Sequence, residues 1–225
     1  MIRALPQSSI EVLVLQAIWL SGSVDAMGVA RRYDLDPVEV ADVISDAAHH
    51  DLVTPQPIPG VHGWSLTAAG REENLRALAE ELEAVGAEDM VAEVYRELVP
   101  LNRILTRACT DWQLRPILGD PFAINDHTDV EWDAAVLLEL AGINSALPPA
   151  VEALGGVLGR FRGYDLRFAD ALAAVRAGDV TRVDRTDVDS CHRVWFELFE
   201  DLLATLGLDR EAELDVLVGG PHLLR

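Results

Sequence analysis

The sequence predicts a mainly α-helical protein with one small β-hairpin near its N-terminal end. Three observations support this fold class. Apolar residues recur at helical spacing along most of the chain, as at Val40, Ile44 and Ala47. Capping residues, Pro and Gly divide these stretches into separate helices. Between residues 52 and 66 the pattern changes to two short apolar runs around a Pro-rich loop, which is typical of a hairpin.

The first 85 residues are predicted to form one domain of three helices, a hairpin and a fourth helix. Asp36 is the expected N-cap of the third helix, with Pro37 at the first helical position, and Thr67 is the expected cap of the fourth. The predicted elements are helices over 10–20, 24–33 and 37–50, strands over 52–54 and 62–66, and a helix after Thr67 with the stripe Leu75, Leu78, Leu82 and Val85.

Residues 86–225 are predicted to form an all-helical domain. A stripe from Met90 to Trp112 indicates one long helix, which Pro100 should kink. Residues 115–127 are predicted to be a loop. The later helices are expected to begin at the capping box Thr128–Glu131, at Pro148–Pro149, at Tyr164, and at Asp187 or Asp189, the last of them ending near Gly207.

The composition excludes several classes of protein. Half of the residues are apolar, and the formal net charge is −20, with 18 Arg as the only fixed cations. This charge excludes a generally basic nucleic-acid coat and a polybasic membrane binder. Only two cysteines, Cys109 and Cys191, are present, which fits a reducing compartment. No apolar run approaches the roughly 20 residues of a spanning helix. We therefore expect a cytoplasmic protein without a membrane partner.

Several short segments carry a resemblance to known families. The run Gly63–Arg71 resembles the wing and exit segment of bacterial MarR-like regulators, and residues 35–40 with 51–53 resemble their turn and recognition helix. The resemblance covers about the first third of the chain. The segments 109–115, 125–127 and 194–198 resemble the helical extension of a group of actinobacterial proteins of this kind, which implies no known chemistry.

The resemblance implies a winged helix-turn-helix domain in residues 1–85 and a helical ligand-binding or dimerisation domain in residues 86–225. It implies a homodimeric, ligand-responsive transcriptional regulator whose third helix enters the major groove of DNA. It does not imply an enzyme or a cofactor. The expected DNA-binding residues are Arg31, Arg32, Ser45, His49, His62 and Arg71. For the Arg31–Arg32 pair and for His49, an ordinary solvated helix end is the alternative.

The distribution of charge opposes this function. The outward stripe of the third helix carries Glu39, Asp42 and Asp46, and the first 85 residues hold five Arg against thirteen acidic residues. Phosphate contacts by Arg and Lys supply most of the affinity for DNA. Three interpretations stay open: DNA binding through a few arginines, a winged-helix adaptor that binds protein instead, and a head that only dimerises.

The helical part contains polar groups among aromatic residues, which could line a pocket for a small organic ligand. A satisfied core network, or pairing of the arginines with the chain's own acids, is the alternative. Enzyme and metal motifs are sparse. A third hypothesis is an enzyme or metal binder using Asp126, His127, His192 and Glu197, whereas both cysteines are expected to be inert thiols. The expected ligand-binding residues are Trp112, Asp126, His127, Arg160, Arg162, His192 and Trp195.

Overall fold

The computed structural model describes residues 8–56 and 63–208, which are mainly helical and include one small antiparallel sheet, as predicted. Two short 3-10 helices, Gly159–Phe161 and Val180–Arg182, accompany the longer elements. The elements in chain order are α1 (Ile10–Ser21), α2 (Ala26–Tyr33), α3 (Pro37–His49), β1 (Val53–Pro55), β2 (Trp64–Leu66), α4 (Ala68–Val85), α5 (Glu88–Gln113), α6 (Val130–Val157), α7 (Tyr164–Arg176) and α8 (Cys191–Leu206).

The described residues divide into two compact units. The first unit contains residues 8–56, 63–89, 155–160 and 200–208, and the second contains residues 90–154 and 161–199. The sequence pattern predicted one helical domain for all residues after 85. Two later segments join the first unit because they carry buried polar residues that bond to its helices, and such long-range pairing leaves no local pattern in a sequence.

Side chains cap the first four helices. Asp36 and Thr67 cap α3 and α4, which confirms both predictions, and Asp25 caps α2. The predicted second helix included Val24, but α2 begins only at Ala26. Val24 is extended instead, because its backbone exchanges two hydrogen bonds with Trp64, with N–O distances of 2.9 and 3.2 Å.

The hairpin packs against both α3 and α4. β1 and β2 are antiparallel, and Val53 lies opposite Leu66. The connecting residues 57–62 lie outside the described residues. Gly70 in the first turn of α4 packs directly on the chain entering β1, and a Cβ at this position would overlap the carbonyl oxygen of Leu52. Any larger residue here would therefore push α4 away from the hairpin.

The core of the first unit combines apolar side chains from α1, α2, α3 and the hairpin, including Val14, Ile18 and Val29. The predicted stripe of α4 was partly wrong. Leu75 is 36% exposed, whereas its neighbour Asn74 is fully buried. Asn74 tolerates burial because its Nδ2 donates a hydrogen bond to Gln16 Oε1 at 2.8 Å, and a buried amide needs such a partner.

The second unit contains most of the two long helices α5 and α6. α5 runs through Pro100, and α7 occupies the predicted interval after Gly163. The prediction that Pro148–Pro149 begins a new helix was wrong, because α6 continues through both prolines. Its buried side continues as well: Val136, Leu140, Ile143, Leu147, Val151 and Leu154 recur every three or four residues. Packing on this side compensates for the hydrogen bonds that the prolines remove.

Helices α6 and α8 differ from their predictions. By length and composition alone α6 could cross a membrane, although no such segment was predicted from the sequence. The core helices of soluble proteins pass the same test. α6 is capped by Asp129, which accepts from the backbone N of Trp132 at 3.1 Å, and not by Thr128. α8 begins at Cys191 after Ser190, whose Oγ accepts from Arg193 N at 3.0 Å, so neither Asp187 nor Asp189 begins this helix.

Candidate functional site

Helix α3 has two faces of different chemistry. Val40, Ile44 and Ala47 are buried in the core of the first unit, as predicted. The opposite face is exposed along the whole helix. It carries the acidic stripe, which consists of Glu39, Asp42 and Asp46. One side of α3 is therefore anchored, and the other side presents negative charge to solvent.

A shallow groove of about 440 Å³ lies beside α3, and we call it the α3 groove. Ser45 and His49 lie on its exposed border, and the backbone carbonyl oxygen of Ser45 lies 2.7 Å from His49 Nδ1. The structure thus brings these two predicted DNA-binding residues together on one surface. The groove is lined by Ala26, Ala41, Ile44, Ser45, Ala48, His49 and Trp64.

The predicted arginines lie on other elements. Arg31 and Arg32 occupy the last turn of α2, where the helix dipole stabilises positive charge. Arg31 is exposed, and the guanidinium of Arg32 lies 5.5 Å from the ring centroid of Tyr33. Arg71 lies in α4 and donates to the carbonyl oxygen of Leu66 at 3.3 Å. The remaining candidate, His62, lies outside the described residues.

Arg160 is not available to a ligand, because it is the centre of a buried network in the first unit. Its Nε lies 3.2 Å from Asp201 Oδ1, its Nη2 donates to Thr205 Oγ1 at 2.7 Å, and its Nη1 contacts Glu81. The chain's own acids thus neutralise this arginine, which is the alternative that the sequence left open. The buried polar network consists of Gln16, Asn74, Glu81, Arg160, Asp201 and Thr205.

A second cavity, the α5 cleft, lies in the second unit and has a volume of about 590 Å³. This volume lies within the range of small-molecule pockets. Of the seven predicted ligand-binding residues, the structure places only Trp112 and His127 here. The lining residues are Trp112, Gln113, Leu114, Ile124, Asn125, His127, Val180, Thr181, Asp184 and Arg185.

His127 is fixed in the α5 cleft from three directions. Its Nδ1 lies 3.0 Å from Asp133 Oδ2, and its ring centroid lies 4.6 Å from that of Trp112. Asn125 donates from Nδ2 to Asp133 Oδ1 at 2.8 Å and to the carbonyl oxygen of Trp112 at 3.1 Å. His127 also has a φ of 58°, a left-handed conformation that is uncommon for residues other than glycine. A carboxylate on Nδ1 leaves Nε2 of the imidazole as the nitrogen that can meet a ligand.

The residue that orients His127 is therefore Asp133, which was not predicted from the sequence. Asp126 instead accepts from the backbone N and Oγ1 of Thr128, and these hydrogen bonds lower the pKa of Asp126. Desolvation raises the pKa of Asp111, the other predicted partner. The only local signal for Asp133 is its place in the first turn of α6, six residues after His127.

The other predicted ligand residues lie elsewhere in the chain. His192 is half-buried and stacks on Phe196, with ring centroids 6.1 Å apart. Burial lowers the pKa of His192, although the nearby charge of Asp184 acts in the opposite direction. Trp195 is 1% exposed and donates from Nε1 to Asn102 Oδ1 at 2.8 Å. Arg162 is exposed. The predicted seven-residue pocket is thus not assembled.

The geometry gives little support to the third hypothesis, an enzyme or metal binder. Glu197 accepts from Arg167 Nη2 at 2.7 Å and from Arg193 Nε at 3.0 Å, so its charge is already matched. Among the described residues, no group of three His, Cys, Asp or Glu is placed to hold a metal ion. Desolvation raises the pKa of Cys109 and Cys191 to about 12, so both thiols are protonated at neutral pH.

The chain was compared with protein-family models, with curated proteins and with solved structures, and none of them matches it.

Proposed function

We propose that the protein is a DNA-binding transcriptional regulator and that its first unit is a winged helix-turn-helix domain of the MarR-like type. The observation that supports this most strongly is the pairing of Val24 with Trp64. It gives the order helix, single bridging residue, helix, helix, strand, strand. In a winged helix-turn-helix domain a short strand after the first helix joins the hairpin in the same order, and the third helix enters the major groove.

In this proposal α3 and its groove meet the base edges, and arginines on neighbouring elements meet the phosphates. Ser45 and His49 lie at the exposed border of the α3 groove, where polar side chains can reach bases. Arg31 and Arg71 are exposed cations on the two flanking helices. The carboxylates of the acidic stripe can accept hydrogen bonds from cytosine amino groups, which favours G·C pairs at those positions. Few phosphate contacts imply weak binding with a shallow dependence of affinity on salt concentration.

We assign the α5 cleft to a small organic effector. The supporting observation is the fixed imidazole of His127, which Asp133, Trp112 and Asn125 hold before any ligand is bound. Such a prearranged polar group beside apolar side chains such as Trp112, Leu114 and Ile124 is typical of ligand sites. Regulation then requires that the effector binds one conformation of the regulator more tightly than the other.

The test is a fluorescence-anisotropy titration with DNA from the promoter of the protein's own gene, at several salt concentrations. We expect tighter binding to this DNA than to a scrambled duplex. Arg31→Ala and Arg71→Ala should each weaken binding and reduce the slope of log affinity against log salt by roughly 0.9. Arg76→Ala is the matched control, because Arg76 is exposed and pairs with Glu73 and Glu80 on α4. Equal binding to both duplexes would refute the proposal.

A second candidate function is a protein-interaction adaptor, and the acidic stripe favours it. Three exposed carboxylates beside an apolar groove fit a basic, amphipathic segment of a partner protein. Charge reversal separates the two functions. Glu39→Arg with Asp42→Arg should strengthen the overall affinity of a regulator for DNA, because two charges that repel the phosphates become attractive, and should remove its preference for G·C pairs at those positions.

The same variant should release a basic partner from an adaptor. A pull-down with the wild-type chain should then recover a stoichiometric partner that the double variant does not recover. Glu83→Arg on α4 is the matched control for a general change of charge, because Glu83 is also exposed. If the double variant changes neither DNA binding nor partner recovery, α3 is not the binding surface in either function.

A further inference from the structure

Most side-chain donors of the α5 cleft already form hydrogen bonds within the chain. Trp112 Nε1 donates to the carbonyl oxygen of Val180 at 3.1 Å, and Thr181 Oγ1 donates to Asp179 Oδ1 at 2.7 Å. The Asn125 amide nitrogen has two N–H groups, and its two hydrogen bonds described above use both of them. The cleft therefore offers few donors to a ligand.

Arg185 is the one fixed cation among the lining residues of the α5 cleft that the structure describes. Its Nε and Nη2 lie 2.5 and 2.6 Å from the two carboxylate oxygens of Asp187. Arginine recognises an anionic ligand through the same paired contact, so Asp187 occupies the place that such a ligand would take. Arg182, next to the lining residue Thr181 in sequence, likewise pairs with Asp179.

Two acceptors of the α5 cleft keep unused capacity. Asp184 Oδ2 accepts from Gln113 Nε2 at 2.6 Å, but no described residue donates to Asp184 Oδ1. The Nδ1 of His127 faces the Asp133 carboxylate and must carry a proton to bond with it, so Nε2 of the neutral imidazole presents a lone pair. His192 lies near Asp184 but is neutral at pH 7, because burial lowers its pKa.

The α5 cleft therefore carries net negative charge next to apolar side chains. The charges of Arg185 and Asp187 cancel, whereas neither Asp133 nor Asp184 has an arginine partner among the described residues. Ile124, which also lines the cleft, is 83% exposed and offers apolar contact area. An anionic ligand would be repelled by the two carboxylates, and a cation would be attracted by them.

We propose that the ligand of the α5 cleft is an organic cation, namely an amine or an amidine carried on an apolar body. Its N–H groups donate to Asp184 Oδ1 and to His127 Nε2, which are the acceptors that the chain leaves unused. Its apolar body contacts Leu114, Ile124 and Val180. This inference rests on the assignment of the cleft to an effector, and it adds the charge and the hydrogen-bonding class of that effector.

The experiment is a titration of the full chain, without DNA, with three ligands of nearly the same shape and different charge. Benzamidine is the cation, benzamide is the neutral ligand and benzoate is the anion. NMR spectra of the 15N-labelled chain give the dissociation constants, and the indole N–H signal of Trp112, assigned with Trp112→Phe, reports binding in the cleft. Benzamidine should bind at least about tenfold more tightly than benzamide, and benzoate should bind more weakly than either.

Asp184→Asn tests the carboxylate that would meet the cation. Asparagine can still accept from Gln113, so the chain should fold, but its affinity for benzamidine should fall to about that for benzamide. Asp170→Asn is the matched control for the loss of one negative charge, because Asp170 is exposed on α7 and does not line the cleft. His127→Asn should also weaken the binding of benzamidine, since it removes Nε2 and asparagine tolerates the left-handed backbone.

Each contrary result has a definite meaning. If benzoate binds at Trp112 as tightly as benzamidine, or if Asp184→Asn keeps the wild-type affinity, the cationic class is refuted and the cleft stays a ligand site. If none of the three ligands shifts the Trp112 signal, the assignment of the cleft to an effector is refuted as well. DNA binding is measured separately, so a chain that binds benzamidine but no DNA would refute only the proposed regulator.

Discussion

The first unit encloses its central ion pair completely, whereas the second unit leaves parts of its ion pairs in contact with water. In the first unit, the side chains of Arg160 and Asp201 are both fully buried. In the second unit, Glu197 is 2% exposed, but its partners Arg167 and Arg193 are 28% and 30% exposed. The two clusters have similar chemistry and different access to solvent.

This difference determines how each cluster responds to the loss of one member. Removing one partner of a fully buried pair leaves a charge that neither water nor protein can stabilise. A partly exposed cluster can recruit water, and Glu197 keeps a second arginine if one is lost. We therefore expect the first unit to depend on individual charged residues, and the second unit to depend more on its aromatic core.

The largest effect is expected for Arg160→Met. Asp201 would then be buried without its cation, and the free energy of unfolding should fall by about 3–5 kcal/mol. Urea denaturation followed by circular dichroism measures this change. Arg76→Ala, on the exposed surface of α4, should change it by less than about 0.5 kcal/mol. A loss for Arg160→Met as small as that of the control would contradict the comparison.

A smaller loss is expected for Trp195→Phe in the second unit. The ring is buried and its Nε1 donates to Asn102, so phenylalanine would leave the amide oxygen of Asn102 without this donor. The expected loss is about 1–3 kcal/mol by the same denaturation experiment. Phe196→Leu on the same helix, at a 36% exposed position, serves as the control and should cost less.

Arg193→Gln tests the shared ion cluster directly. Glu197 would keep Arg167 at 2.7 Å, and the site is partly open to water. The free energy of unfolding should therefore fall by only about 1 kcal/mol. If this variant loses as much as Arg160→Met, then exposure does not explain the difference between the two units.

The smallest effect is expected from the pH dependence of His192. Burial lowers the pKa of this imidazole in the folded state, so the unfolded chain binds more protons as pH falls below about 6.5. The contribution of His192 to the free energy of unfolding should be constant above that pH and fall below it. Thermal unfolding of the wild type and His192→Gln at neutral and mildly acidic pH measures this. Equal acid destabilisation of both proteins would show that His192 makes no contribution.

Local features of the chain were predictable from sequence. The caps Asp36 and Thr67, the buried side of α3 and the exposed acidic stripe all follow from neighbouring residues and helical spacing. The pairing of Val24 with Trp64 was missed, because the two residues are far apart in sequence. The continuity of α6 through Pro148–Pro149 was missed as well, because packing on its buried side overrides a strong local signal.

The candidate site was predicted less completely than the fold. Trp112 and His127 do share a cleft, since a loop of modest length returns the chain to the end of α5. Arg160 does not belong to that cleft, and its partner Asp201 lies 41 residues further along the chain. Side-chain type alone cannot distinguish an arginine that awaits an anionic ligand from one that its own chain already neutralises.

The sequence by itself determined the helical class, the places where most helices begin, and the negative charge of α3, because these depend on short-range spacing, capping and composition. Only the tertiary structure decided that Asp133 orients His127, that Arg160 is buried with Asp201, and that α6 continues through Pro148 and Pro149. Each of these depends on which distant residues come into contact. The burial of polar and apolar groups is therefore determined only in the folded chain.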